Sequence, residues 1–203
     1  MSRNSVRLTL LVIAFLVAAA SSAGAQANLV ESILGDPAAP VAGDPHGDVT
    51  IVAFLDYNCP YCRRATPMLD RFVASDRHVK LIYKDWPILA PSSIVAAKVA
   101  LAANYQGKYQ IAHDALMAIK LSPATQASIK QAMETAGIDL TQLNKDLAAH
   151  NAEISALLQR NIEQANALHL QGTPVYLIGP YLIAGAIDEA GLKKLVTKLR
   201  DAK

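Results

Sequence analysis

Val49-Thr50-Ile51-Val52-Ala53-Phe54-Leu55-Asp56-Tyr57-Asn58-Cys59-Pro60-Tyr61-Cys62 decides how this chain is read. The run from Val49 to Leu55 is β-rich, apolar and hardly alternates, the pattern of a short strand buried on both faces. Asp56, Tyr57 and Asn58 leave that strand, and Cys59 opens a helix reaching about Ala74. Pro60 fits the first helical position, where its missing N–H is harmless. Met68, Leu69, Phe72 and Val73 supply an apolar stripe at helical spacing. His78 to Lys84 alternates enough to make a second strand, so the segment reads β–α–β.

Outward from this unit the strand signals stop. Residues 92–105, 109–119, 123–136, 140–150 and 152–170 each carry helical periodicity, punctuated at Gly107, Ser122-Pro123, Gly137 and Asn151. Gly172-Thr173-Pro174 ends that series. Val175 to Ile178 and Tyr181 to Ala184 are two short β runs joined at Gly179-Pro180, hence a hairpin. Asp188 to Leu199 closes the chain as an amphipathic helix. Upstream, residues 28–47 begin with a short amphipathic stretch (Leu29, Val30, Ile33, Leu34) and continue as an extended lead-in marked by Pro and Gly. The order predicts an α/β protein with a thioredoxin-like fold: a core over 48–88 and 171–203, split by an all-helical insertion domain over 89–170.

Residues 1–27 read as a secretory signal peptide. Arg3 and Arg7 give a positive start, Leu8 to Ala20 is an uncharged apolar run, and Ala23-Gly24-Ala25 and Ala25-Gln26-Ala27 offer small-x-small cleavage sites. The apolar run is short for a membrane span, which needs about 20 residues. The two arginines account for the whole excess of 19 basic over 17 acidic residues, so the remainder is formally neutral. Nothing in that balance attracts nucleic acid or an anionic membrane. A hydrophobic content of 52% against 18% charged residues excludes a disordered chain.

An exported protein meets an oxidising compartment, where structural cysteines pair across the fold. This chain has only Cys59 and Cys62. A disulfide between them closes too small a loop to stabilise much, so the pair calls for a chemical explanation. Disulfide exchange needs one ionised thiol and a second within reach. Cys59 stands where a strand ends and a helix begins, and a helix N-terminus favours a thiolate. Cys62 lies one turn on and further inside. An exposed Cys59 is therefore the attacker, and Cys62 resolves the mixed disulfide. Zinc also uses C-x-x-C, but a structural site wants four ligands. His46, His78, His113, His150 and His169 are widely spaced, with no second cysteine pair, so no metal is expected. His113 and His169 read as ordinary surface or satisfied core residues. Cu(I) held by the two thiolates remains chemically open.

The stretch Phe54 to Arg64 resembles the active-site segment of the DsbA-like periplasmic thiol–disulfide oxidoreductases, and within them the suppressor-of-copper-sensitivity C branch. Tyr83-Lys84-Asp85-Trp86-Pro87-Ile88-Leu89, Gln106-Gly107-Lys108-Tyr109 before His113, and Gly172-Thr173-Pro174 extend the likeness over Pro40 to Leu199. The resemblance implies a cis bond before Pro174, with Thr173 and Pro174 beside the cysteines as support together with Pro60 and Tyr61. It implies that Thr173 tunes the site and pairs with an extended substrate. Members often carry a buried acid six residues before the first cysteine; here that position is Ala53. Asp56, Lys84 or water is left for its proton role, or the site does without one, with Asp56 read as a solvated turn residue. Tyr57, Tyr61 and Trp86 are candidates to line an apolar groove, with packing under the insertion equally open for Trp86.

These readings converge on a periplasmic dithiol oxidase that exchanges a Cys59–Cys62 disulfide with unfolded or reduced exported proteins. No cofactor is expected, a membrane redox partner recycles the cysteines, and nucleic acid is excluded. The short, Pro- and Gly-rich lead-in predicts a monomer. A disulfide isomerase or reductase of the same fold, and a copper(I)-binding or chaperone protein, are the alternatives.

Overall fold

The computed structural model describes residues 28–202, so the signal peptide expected over residues 1–27 lies outside the described residues. Residues 28–34 form a helix, α1, closed by the Gly35 N–H donating to the Glu31 carbonyl at 2.8 Å. It belongs to a unit of its own that ends at Pro37. No helix among the described residues is long and apolar enough to cross a membrane.

From Ala38 onward the chain builds a five-stranded mixed sheet in the order β1-β3-β2-β4-β5. The strands are β1 (Val41–Gly43), β2 (Val49–Leu55), β3 (Val79–Asp85), β4 (Val175–Ile178) and β5 (Tyr181–Ala184). β2 is central, parallel to β3 and antiparallel to β4. Both of its flanks are therefore paired and both faces covered, which is why its sequence reads as an unbroken apolar run. Helix α2 (Pro60–Ser75) follows β2. Its Leu69, Phe72 and Val73 share a core with Ile51, Ala53 and Leu55 of β2, Leu81 and Tyr83 of β3, and Tyr176 and Ile178 of β4.

Five helices separate β3 from β4: α3 (Pro91–Asn104), α4 (Tyr109–Met117), α5 (Gln126–Thr135), α6 (Leu140–Ala149) and α7 (Asn151–Ala167). Helix α8 (Glu189–Asp201) ends the fold. Arg200 ties it down, its guanidinium donating to both carboxylate oxygens of Asp48 and both of Asp76 at 2.8–3.1 Å. The mixed sheet and its helices form the thioredoxin-like fold that the element order predicts.

Two local readings change. The lead-in is not merely extended, because Val41 to Gly43 pairs antiparallel with β3 at the sheet edge. Gly43 makes this possible: its φ is +75°, and a Cβ there would come 2.3 Å from the Val79 carbonyl oxygen. Asp56 is not a solvated turn residue. It is 1% exposed. Its Oδ1 accepts from the Asn58 N–H and the Ser93 hydroxyl, each at 2.7 Å. Its Oδ2 accepts from the amides of Ile88 at 2.7 Å and Leu89 at 2.9 Å. One carboxyl group thus fixes the turn before Cys59, the loop after β3 and the first turn of α3.

Asn58 and Arg63 extend this knot. The Asn58 amide donates to Ser93 Oγ at 2.8 Å, and its Oδ1 accepts the Ala124 N–H at 2.7 Å. Arg63 donates to the Tyr57 carbonyl at 2.6 Å and to the Leu121 carbonyl at 2.8 Å. The helical run is therefore fastened to the segment that carries the cysteines.

Asp56→Asn keeps the shape but turns an acceptor oxygen into a donor facing two N–H groups or a hydroxyl and an amide. Losing hydrogen bonds to a charged group and stranding their donors should cost about 3 kcal/mol. Urea unfolding of the oxidised variant measures this; a loss within about 0.5 kcal/mol, the range of an ordinary surface change, would show the knot to be unimportant.

Candidate functional site

The two cysteines lie at the start of α2, built by the residues around them. The Cys59 N–H donates to the Asp56 carbonyl at 3.0 Å, which tightens the chain into the helix. Cys59 has extended backbone angles and serves as the N-cap, with Pro60 at the first helical position. Its sulfur takes the place a serine or aspartate oxygen fills in an ordinary cap, accepting the Cys62 N–H at 3.4 Å. Both thiols are free, so this is the dithiol form.

The expected difference in exposure between them is not found: Cys59 is 2% exposed and Cys62 0%. The side chain of Tyr61 and the ring of Pro60 stand outside the pair instead. Tyr61 is 56% exposed, with the Arg64 guanidinium 4.6 Å above its ring. What separates the thiols is electrostatic. The neighbouring Cys62 thiol is the largest influence on Cys59, and it joins Thr173 and the amides of Cys62 and Tyr61 in drawing the Cys59 thiol down to about 5 against the opposing effect of burial. Burial pushes the Cys62 thiol in the other direction, well up, and its hydrogen bond to Cys59 adds to the rise. A negative charge on sulfur is therefore accepted at Cys59 and refused at Cys62.

Thr173 and Pro174 come to this site from 114 positions away. The Thr173 carbonyl oxygen lies 3.2 Å from Cys59 Sγ. The Thr173–Pro174 bond is cis, as the resemblance implies, and a second cis bond precedes Pro123. The Thr173 hydroxyl is buried without a hydrogen-bond partner among the described residues. All six residues singled out from the sequence thus lie at the start of α2 or on the loop that meets it. Tyr57 and Trp86 do not line a groove. Tyr57 is 2% exposed, its hydroxyl 3.0 Å from His113 Nδ1, and Trp86 is 4% exposed with its ring packed edge-on to Phe54.

Three groups near the site escaped the sequence reading. Tyr176 is the register partner of Ala53 across β2 and β4, so it stands beside the position where the resemblance leads us to expect an acid. Its hydroxyl is buried and has no partner among the described residues; burial first, then the charges of Cys62 and Cys59, raise it. Tyr176 is 1% exposed, but β4 is apolar at all four positions, and nothing in the sequence gives its facing or its register. Asp85 is, beside Asp56, another buried acid close to the site. Burial raises it to about 7, against hydrogen bonds from Tyr57 and Tyr109. Beside them, burial alone holds His113 neutral, pushed down to about 3. Lys84, one of the proton candidates, is fully buried on β3.

Comparison with known proteins agrees with this geometry. A thioredoxin-like oxidoreductase from Silicibacter pomeroyi DSS-3 is 39% identical, with a TM-score of 0.79 over 85% of this chain and 98% of that one. The thiol-disulfide exchange protein alpha-DsbA2 from Wolbachia pipientis is 28% identical, with a TM-score of 0.78 over 85% and 91%. The catalytic domain of ScsC from Proteus mirabilis is 30% identical, with a TM-score of 0.76 over 87% and 97%. The resemblance to DsbA-like and ScsC proteins is therefore borne out. The first curated relatives are Na+/H+ antiporters NhaA; that of Salinispora arenicola is 26% identical over 161 residues, and this chain spans 24% of its length. The family model described as thioredoxin matches residues 35–198. With that match over most of its length, the chain belongs to the thioredoxin family.

Proposed function

We propose that this chain is a thiol–disulfide oxidoreductase of the periplasm, working as a dithiol oxidase on reduced, newly exported proteins. The observation that carries this reading is the opposite treatment of two thiols one turn apart, Cys59 drawn down to about 5 and Cys62 pushed up. An environment that stabilises the thiolate also stabilises the dithiol form, and so makes the disulfide a stronger oxidant.

In the forward reaction a substrate thiolate attacks Cys59 Sγ of the Cys59–Cys62 disulfide. The Cys59–Cys62 bond breaks, and the sulfur of Cys62 leaves and takes up a proton. A second substrate thiolate then attacks the substrate sulfur of the mixed disulfide and expels Cys59 as a stabilised thiolate. Two substrate thiols have become a disulfide, and the two electrons rest on the Cys59–Cys62 pair. A membrane redox partner removes them and restores the disulfide. The backbone at Thr173, beside Cys59 Sγ, is where an extended substrate segment pairs, while Pro60 and Tyr61 form the outer rim.

The test is to mix the oxidised protein with reduced, unfolded ribonuclease. Recovery of ribonuclease activity beyond the buffer control supports the oxidase, and none at all points to a copper(I) carrier or a holdase. Recovery only from scrambled ribonuclease, with the reduced protein, points to an isomerase. Cys59→Ala should abolish exchange, whereas Cys62→Ala should attack a disulfide substrate and stop as a trapped mixed disulfide. Alkylation that labels Cys62 ahead of Cys59 at mildly acidic pH would reverse these roles.

The pKa shifts set a second expectation. Cys59 has a folded value below its unfolded one, so its contribution to the dithiol form is complete above about pH 9 and is lost as pH falls through about 5. Cys62 stays protonated in both states below pH 9. Reduction between pH 5 and 8 thus takes up one proton for two electrons, and the midpoint potential should fall by about 30 mV per pH unit, steepening to about 59 mV below pH 5. Glutathione equilibria across pH 4 to 8 measure the slope. A value near 59 mV throughout would mean that Cys59 remains a thiol.

A further inference from the structure

Asp70 lies on α2 about two turns beyond Cys62, and His113 and Asp114 lie on α4. We propose that Asp70, His113 and Asp114 form a site for a divalent first-row transition metal such as Zn2+, joining α2 to α4.

One ligand atom from each residue lies within 4.8 Å of the others. His113 is fully buried. Its Nδ1 is engaged by the Tyr57 hydroxyl at 3.0 Å. Its Nε2 is buried and has no hydrogen-bond partner among the described residues. A buried ring nitrogen without a partner is costly and uncommon, and a metal–nitrogen bond would satisfy it.

The neighbours hold the ring in the tautomer a ligand needs. The Asp85 carboxyl accepts from Tyr109 at 3.1 and 3.2 Å and lies beside the Tyr57 hydroxyl as well. With the Tyr57 proton directed to Asp85, the Tyr57 oxygen accepts from Nδ1–H, and the Nε2 lone pair is free. Metal-bound histidines are oriented in this way by a partner on the other nitrogen. The tyrosine–aspartate pair would serve here.

The two carboxylates are fixed by a similar outer layer. The Tyr83 hydroxyl lies 2.9 Å from Asp70 Oδ1 and 2.8 Å from Gln110 Oε1, and the Gln110 amide donates to Asp114 Oδ1 at 2.8 Å. Neither carboxylate has an ion-pair partner among the described residues. Asp70 is half-buried and Asp114 exposed, so an ion enters from the Asp114 side. Two carboxylates and one imidazole are a hard-to-borderline donor set that suits Zn2+, Mn2+ or Co2+ and leaves positions for water. The set contains no sulfur, which separates it from the thiol pair.

The test uses the disulfide form of the protein, in which thiolates cannot bind the probe. Zinc chloride is titrated by calorimetry, and thermal unfolding is followed with and without it. We expect one saturable site and a higher melting temperature with zinc. Asp70→Asn and Asp114→Asn should each weaken binding at least about tenfold, the scale on which even outer-layer changes act. Cobalt chloride should give visible d–d bands without a thiolate charge-transfer band. Asp114 is exposed, so its variant keeps the fold even where a His113 variant does not, and circular dichroism checks this. Absence of saturable binding by the disulfide form overturns the proposal, as does binding undiminished in both aspartate variants.

Discussion

Cys59 sulfur stands between two backbones: the first turn of α2, whose Cys62 N–H lies 3.4 Å away, and the strand entry at Thr173, whose carbonyl oxygen lies 3.2 Å away. One supplies a donor and the helix end's partial positive charge; the other supplies a wall. The field of a helix terminus fades within its first turn, so the helix must begin at Cys59 and not a residue or two later. Asp56, Asn58 and Pro60 fix that starting point, and β2 delivers it to the end of the sheet where β4 begins. Two residues separate two identical side chains. Their chemical difference comes wholly from this placement.

The knot around Asp56 shows what fixing the starting point requires. Buried polar groups stiffen a structure only when their partners are complete. Asp56 meets four donors, one backbone N–H and one hydroxyl on one oxygen and two backbone amides on the other. Asn58 and Arg63 then carry the connection to Ala124 and Leu121, beyond α4. The five helices are thus joined to the cysteine turn by directional bonds as well as by apolar packing. Apolar contact alone would let the helical run slide, since the hydrophobic effect has no preferred direction.

Much of this was legible in the residues, and the failures share a cause. β2, β4 and β5 begin and end where their apolar runs do, because each is paired along its length. Helix bounds drift by a residue or a few, as at α5, where Pro123 lies before the helix rather than within it. β1 has three residues, too few for any pattern, and its pairing depends on the fit of Gly43 against Val79. Asp56 was misread because its partners Ile88, Leu89 and Ser93 are 32 to 37 positions away. Tyr57, a candidate groove liner, and Trp86, for which groove and packing were both open, are amphipathic residues whose burial only the packed helices decide. His113 is neither a surface residue nor a fully satisfied one. Local signals give elements; distant partners decide what a polar side chain is for.

The placement of the five helices between β3 and β4 has an evolutionary consequence. Both strands flank β2, so the points where the run leaves and rejoins the sheet are about 10 Å apart, two strand spacings. The entropy of closing such an excursion grows only with the logarithm of its length. Turns, helices or whole helix pairs can therefore be gained or lost there at little thermodynamic cost, provided the anchors at Ser93, Leu121 and Ala124 persist. The helical run is in this sense modular, free to lengthen or shorten without moving the strands that position the two sulfurs.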